Sequence, residues 1–368
     1  MPPPLSTNPR VALVIDFFYW YGGAQKVEEL ILNIFPDADV FAGFKHPKYH
    51  GWLPKNVTYT IVHKFPLKRL LAPLYELFLP FAFERLDFSK YDVVISSTQC
   101  FAKGIIVPPG VKHISYVHTP PRFLWGMESS RQSKAFFMVK PILSIINHFL
   151  RIWDFHASTR PNILVTNSTE VQRRITKFYK RNSIVIHPPV DLPREKIIRE
   201  KKDENLFVSV GRLVSYKKVD VAIEAFKKMP EKTLVIIGSG DEETRLRKLA
   251  RGYKNIRILG FVDGNDKFKW IQKAKAVIHL PFEDFGIVPV EAMAMGTPVI
   301  GLNAGGTVET VINGKTGVLI DEVNVKNVVN AVNKIMGISI SEDDCKKRAG
   351  EFSFENFRKQ ILEVMRDI

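Results

Sequence analysis

Short, continuous apolar runs alternate with amphipathic segments along nearly the whole chain, and this alternation restricts the fold more than any single motif does. In the first half the runs fall at 11–17, 39–44, 93–96, 113–116, 163–166 and 184–186. In the second they fall at 206–210, 233–237, 256–259, 276–280, 299–301 and 318–320. Each is bounded by Gly, Pro or Asn, and runs of this length buried on both faces are what parallel strands need. The intervening segments carry the helical period: between 219 and 229, Val219, Ala222, Ile223, Phe226 and Met229 share one face. Repeated βα units predict an α/β protein with parallel sheets.

A chain of 368 residues can hold two such domains. The break is expected near 188–204, where Pro188 and Pro189 end one element and a charged run, 194–204, precedes the next strand. This gives a first domain over 1–190, a second over 191–351, and a C-terminal helix, 352–368, that can pack back on the first. Cys100 and Cys345 stand alone, which suggests a reducing compartment, and no His/Cys cluster has metal-ligand spacing, so no metal is expected. Residues 11–21 contain Asp16 and run into a glycine pair, so they read as a first strand rather than a leader, and no apolar run reaches the ~18 residues of a spanning helix. A cytoplasmic protein is the expectation.

The net charge is +15 and uneven: residues 1–190 hold 23 Lys and Arg against 12 Asp and Glu, residues 191–368 hold 30 against 26. A basic first half suits an anionic membrane surface, a phosphorylated substrate or nucleic acid, or is simply solvated. No nucleic-acid-binding signature accompanies it. Two apolar segments with basic residues, 64–85 and 131–157, read either as helices packed on the first domain or as parts of a membrane-interface surface. Pro66, Pro73 and Pro80 break the first into short pieces.

The motifs sit at strand ends. Glu283 follows the 276–280 run, and Glu291 lies eight positions on, inside a helix read over 290–295. Two carboxylates so spaced can face one crevice, with free backbone N–H groups between them for hydroxyls or anionic oxygens. Gly211-Arg212 and Lys217 follow the 206–210 run; a guanidinium fork and an ammonium suit a diphosphate, though a solvated basic loop would look the same. Gly22-Gly23 follows the first run and reads as a close-approach turn or a plain tight one. Gly238-Ser239-Gly240-Asp241 lacks the third glycine of a dinucleotide fingerprint and reads as a turn with Asp241 capping the next helix. His118, before Pro120-Pro121 and followed by Arg122, Phe123 and Trp125, suits a sugar site or a structural loop corner. Asn303 to Glu309 and Asn313 to Gly317 read as turns.

Together these residues resemble glycosyltransferase family 4, the retaining sugar-nucleotide transferases of GT-B fold. Glu283 and Glu291 with Phe285-Gly286 match its signature of two glutamates, Arg212 and Lys217 its basic pair, and Gly22-Gly23 its N-terminal glycine loop. The resemblance implies two Rossmann-like domains whose parallel sheets face an interdomain crevice. It implies that Arg212 and Lys217 stabilise the leaving diphosphate, that Glu291 binds the ribose, and that Glu283 contacts the donor sugar. It also implies that the N–H groups of Phe285, Gly286, Ile287 and Val288 hold sugar and phosphate oxygens and that His118 lies near the reacting face. Lys218 stands where the family has glycine. The stretches 118–125 and 187–191 look like the bacterial polysaccharide mannosyltransferase branch, implying GDP-mannose as co-substrate, no separate cofactor or metal, and a glycan or polyprenyl-linked acceptor. Peripheral contact with the anionic inner face of the cytoplasmic membrane is a further expectation, and specific nucleic-acid binding is not. An epimerase of the same fold, a basic nucleic-acid binder and a non-catalytic partner subunit are the competing readings.

Overall fold

The computed structural model describes residues 9–19, 22–66, 75–127, 140–190 and 201–367. Parts of three stretches singled out from the sequence lie outside them: 67–74 and 131–139 of the two apolar segments, and 194–200 of the charged run. The chain divides into two compact units, Met1–His187 with Phe357–Ile368, and Pro188–Asn356.

The first unit contains β1 (Val11–Ile15), α1 (Gly23–Ile34), β2 (Asp39–Ala42), β3 (Val57–Tyr59), α2 (Leu79–Glu84), β4 (Val93–Thr98), β5 (Lys112–Val117), α3 (Lys140–Ala157), β6 (Ile163–Thr166), α4 (Thr169–Tyr179) and β7 (Ile184–Val185). Its sheet has the order β3-β2-β1-β4-β5-β6-β7, parallel throughout. All five residues of β1 are buried, as a central strand covered on both faces must be. The chain steps outward from β1 to β3 and then returns to the other side of β1 as β4. This reversal opens a crevice at the carboxyl ends of β1 and β4, where open sheets bind ligands.

The second unit contains β8 (Asp203–Val210), α5 (Val219–Phe226), β9 (Thr233–Ile237), α6 (Glu243–Ala250), β10 (Ile256–Gly260), α7 (Gly264–Lys273), β11 (Ala274–His279), α8 (Ile287–Ala294), β12 (Val299–Leu302), α9 (Thr307–Thr310), β13 (Gly317–Ile320), α10 (Val325–Gly337) and α11 (Glu342–Gly350). A last helix, α12 (Phe354–Arg366), closes the chain; from Phe357 onward it belongs to the first unit, where Phe357 packs edge-to-face on Tyr116. The second sheet, β10-β9-β8-β11-β12-β13, is also parallel and reverses between β8 and β11. Alternate strand residues feed two cores. Phe207, Ile278 and Ile300 join the α5 and α10 side, whereas Val277 and Val299 join Val290 and Met293 of α8. Phe226 is fully buried and edge-to-face with Phe207 at 5.3 Å; filling such a position contributes about 1.5–3 kcal/mol.

Helix ends follow local chemistry. Ser168, Asp263 and Asn324 cap α4, α7 and α10 with their side chains. Asp241 does not cap α6, whose N-cap is Glu242 without a side-chain bond, so that expectation is corrected. Helix α8 starts at Ile287, three residues ahead of the expected 290, because Pro289 is tolerated in a first turn whose N–H groups have no intrahelical acceptor.

Candidate active site

The reversal point of the second sheet gathers the residues singled out from 206–291. At the end of β8, Gly211 (φ +149°) turns the chain so that the Lys217 side chain lies over it, and an added Cβ would meet Lys217 Nζ at 3.7 Å. Arg212 is exposed and, among the described residues, has no ion-pair partner. A 3-10 turn, Ser215–Lys217, then carries the chain to Lys218, which holds a left-handed conformation (φ 55°, ψ 30°) before α5. The turn thus keeps the shape glycine would give it, with a lysine in its place. A pocket here is lined by Gly211, Arg212, Lys217, His279, Leu280 and Pro281.

Glu283 follows β11 and forms an ion pair with Lys217, and its other oxygen lies 3.3 Å from His279 Nε2. Burial pushes its carboxyl up, but the Lys217 ammonium and His279 outweigh burial and hold it well below the usual carboxylate range. Gly286 (φ +84°) is the N-cap of α8 and offers no side-chain cap, and there is no acid in the first turn. The amino end of α8 is therefore complementary to negative charge. Glu291, one turn into α8, is held by Lys267 of α7 at 2.8 Å. Lys267 carries no sequence signal; only the packing of α7 on α8 brings it there. Phe285 turns its ring into the core against Phe352, so only its backbone faces the loop. Ile287 and Val288 are partly buried in the same core.

Glycines set the positions of these loops by direct backbone contact. A Cβ on Gly306 would lie 2.2 Å from Phe285 Cα, and one on Gly305 (φ +63°) 2.4 Å from Glu283 O, while Gly306 N–H donates to Glu283 O at 2.9 Å. A Cβ on Gly238 would lie 1.8 Å from Gly211 O, and one on Gly240 2.4 Å from Leu213 O. The 238–241 motif thus serves the neighbouring loop, and the 303–306 turn fixes the one that carries Glu283.

In the first unit, Asp16 follows β1, and its buried carboxylate accepts the backbone N–H groups of Gln99, Cys100, Phe101 and Ala102 at 2.5–2.7 Å. Thr98 Oγ1 donates to it at 3.2 Å. His118 follows β5; its N–H donates to Thr98 O, and its Nε2 lies 2.8 Å from Ser97 Oγ, which also bonds Glu28 Oε1 at 3.0 Å. Sequence spacing could not find Asp16, Ser97 or Glu28, because the sheet order alone assembles them. Trp125 is structural: it stacks on Phe178 at 4.7 Å and donates to Asp154 at 2.8 Å. Gly22 is exposed and extended, and a Cβ there would meet only Gln25 Oε1 at 3.9 Å; Gly23 opens α1 beside it. Asp39 opens β2, at the amino end of the strand and away from the carboxyl-end crevice, and is engaged by Lys90 and Tyr91. Phe78, which ends a 3-10 turn, Phe81 on α2, and Ile145, Phe149 and Ile152 on α3 are exposed, the last three at helical spacing, and Trp153 Nε1 ties α3 to Glu84 of α2 at 3.0 Å. No helix among the described residues is long and apolar enough to cross a membrane.

An uncharacterized glycosyltransferase of Methanocaldococcus jannaschii is 33% identical over 175 residues, 44% of this chain and 45% of that protein. The alpha-1,3/1,6-mannosyltransferase ALG2 of Dictyostelium discoideum is 26% identical over 353 residues, 82% of this chain and 80% of that one. The chain spans about half the length of the first two curated relatives it matches, 45% and 51%. The solved structure of Anabaena HepE in complex with UDP superposes with a TM-score of 0.70 at 17% identity, covering 98% of this chain and all of that one. The chain has the two-Rossmann fold of the GT-B glycosyltransferases, and its residues 193–352 match the family described as glycosyl transferases group 1.

Proposed function

We propose that the protein is a retaining hexosyltransferase that moves mannose from GDP-mannose to the hydroxyl of a glycan, without a metal. The observation that carries this is the reversal point of the second sheet. There the Arg212 and Lys217 cations and the Glu283 carboxylate, on neighbouring loops, collect with the uncapped amino end of α8 and Glu291 one turn into it. Cations beside a helix amino end favour a diphosphate, and carboxylates beside them favour hydroxyls. In the reaction the bond from sugar C1 to the phosphate oxygen breaks, and C1 bonds the acceptor oxygen on the same face. The acceptor proton passes to the departing phosphate. Arg212 and Lys217 stabilise the charge that builds on the diphosphate, Glu291 accepts from the ribose, and Glu283 from the sugar. The N–H groups from Phe285 to Val288 take sugar and phosphate oxygens. Gly22 and Gly23 leave room for a close donor approach, since among the described residues a Cβ at 22 would meet only Gln25 Oε1, at 3.9 Å. His118 contacts the donor sugar.

Mannose is supported by the mannosyltransferase name of the Dictyostelium relative, whereas HepE was solved with UDP, so the base must be decided by binding. Thermal-shift measurements with GDP, UDP, ADP and their sugars test it: GDP-mannose is expected to raise the melting temperature most, and a response to a different nucleotide alone removes GDP. Incubation with donor alone separates transfer from epimerisation, because an epimerase converts the donor without an acceptor.

The acceptor we propose is a polyprenyl-linked glycan at the anionic cytoplasmic leaflet. The excess of cations in residues 1–190 and the exposed Phe81, Phe149 and Ile145 support it. Flotation with anionic liposomes but not neutral ones is the expected result; equal behaviour with both removes the membrane from the proposal.

A further inference from the structure

A chain of three buried side chains lies at the reversal point of the first sheet. Glu28 on α1, Ser97 at the end of β4 and His118 after β5 are 2%, 1% and 7% exposed. Ser97 Oγ lies 3.0 Å from Glu28 Oε1 and 2.8 Å from His118 Nε2. The hydroxyl has one proton for two partners, so the direction of both bonds is set together. When Glu28 is ionised it only accepts, Ser97 must donate to it, and His118 Nε2 must carry a proton to donate to Ser97. When Glu28 is protonated it can donate to Ser97, Ser97 donates to Nε2, and the imidazole proton sits on Nδ1. We propose that Glu28 and Ser97 are positioning residues that set which ring nitrogen of His118 carries the proton, and so whether His118 offers a donor or an acceptor to a sugar hydroxyl.

Three features support the two-way chain. Glu28 Oε2 is buried with no hydrogen-bond partner, a costly place for an ionised oxygen. Among the described residues no cation pairs with Glu28, the neighbouring Lys26 being engaged by Glu29. Burial pushes Glu28 up to about 8, the Ser97 bond lowering it and the Asp16 carboxylate raising it further, so both states are accessible near neutral pH. Among the described residues, the charged and titratable groups on this side of Glu28 are Asp16 after β1 and, through Ser97, His118 after β5.

Only the last clause of the proposal rests on the transferase reading, and the test separates the two. Imidazole ¹H–¹⁵N spectra of the full chain, labelled at histidine, report the tautomer directly; the His118 signals are assigned by their loss in His118→Asn. Between about pH 7 and about pH 9.5 the wild type should pass from Nδ1–H to Nε2–H, following Glu28. Glu28→Gln cannot titrate and should hold one tautomer throughout; Ser97→Ala should uncouple the ring from Glu28 as well. A single wild-type tautomer over the whole range overturns the proposal. So does a switch that survives in either variant, and reading both keeps the test valid where one of them folds poorly. A tautomer switch with transfer rates that ignore it would leave the chain in place and overturn the role of His118 toward the sugar.

Discussion

Glu28 and Glu283 are the same residue type at the reversal points of two similar sheets, and their surroundings drive them in opposite directions. Glu28 is buried beside a hydroxyl and near a second carboxylate, with no cation paired to it among the described residues, and its carboxyl rises to about 8. Glu283 is also removed from water, yet Lys217 and His279 face it, and its carboxyl falls well below the usual range. Burial acts alike on both, and the nearest charge decides the outcome. The first crevice therefore keeps an acid that can change its protonation state near neutral pH, and the second keeps a fixed charge pair suited to a charged ligand.

The largest effect should come from breaking the pair in the second unit. Lys217→Ala is expected to lower turnover by about 10²–10³-fold, as loss of a transition-state charge partner does, and to leave Glu283 buried without its cation. Steady-state kinetics measure the first effect and carboxyl NMR titration the second, with Glu283 moving up toward the Glu28 pattern; unchanged turnover would remove Lys217 from the chemistry. Next come the glycines. Gly306→Ala forces a Cβ to 2.2 Å from Phe285 Cα, and overpacking of this kind costs about 1–3 kcal/mol. It should lower both the melting temperature and donor affinity, whereas Gly22→Ala, with its nearest neighbour at 3.9 Å, should leave the melting temperature unchanged. Equal destabilisation by both would erase the distinction between the two loops.

The pH dependence should separate the units as well. For Glu28 the folded state holds its proton while the unfolded state releases it above about 4.5. Stability of the first unit should therefore fall as pH rises toward about 8 and then level off, at up to ~1.4 kcal/mol per pH unit from this group. For Glu283 the folded state holds its charge, so its contribution is present above the unfolded value near 4.5 and is lost on acidification through the lower folded value. Hydrogen exchange in β4 and β11 as a function of pH reads the two separately, and Glu28→Gln should flatten the slope of the first alone. The smallest effect belongs to Lys218→Gly, which should stabilise by about 1 kcal/mol by relieving a left-handed lysine; urea denaturation measures it.

Strands bounded on both sides by turn residues were legible from the sequence, and those at 163–166 and 233–237 match residue for residue. The three-residue edge strand β3 was not, since Val57 and Tyr59 are only partly buried and make no apolar run. Strand β8 begins at Asp203, inside a charged run, because pairing with Ala274 holds a stretch whose side chains face water. The spacing of Glu283 and Glu291 was readable because one loop carries both. The pairings were not, although Lys217 itself stood out: Lys217 is 66 residues from Glu283, and Lys267, which carried no signal, is 24 from Glu291. Ser97 meets Glu28 across 69 residues by strand order alone. The aromatic run around Trp125 suggested a sugar platform, and the structure uses it to lock α4 against Asp154 instead.

Asp16 has a consequence for how two such sheets divide their labour. Its carboxylate occupies the ring of four amide donors from Gln99 to Ala102, a concavity where an incoming anion would otherwise lodge. The chain supplies its own permanent tenant there, so a nucleotide phosphate would find that berth closed, while the amino end of α8 carries no such stopper. One side chain at the tip of β1 is enough to fill the amide cradle of the first sheet, while the matching loop of the second sheet keeps its amide donors open to a charged visitor.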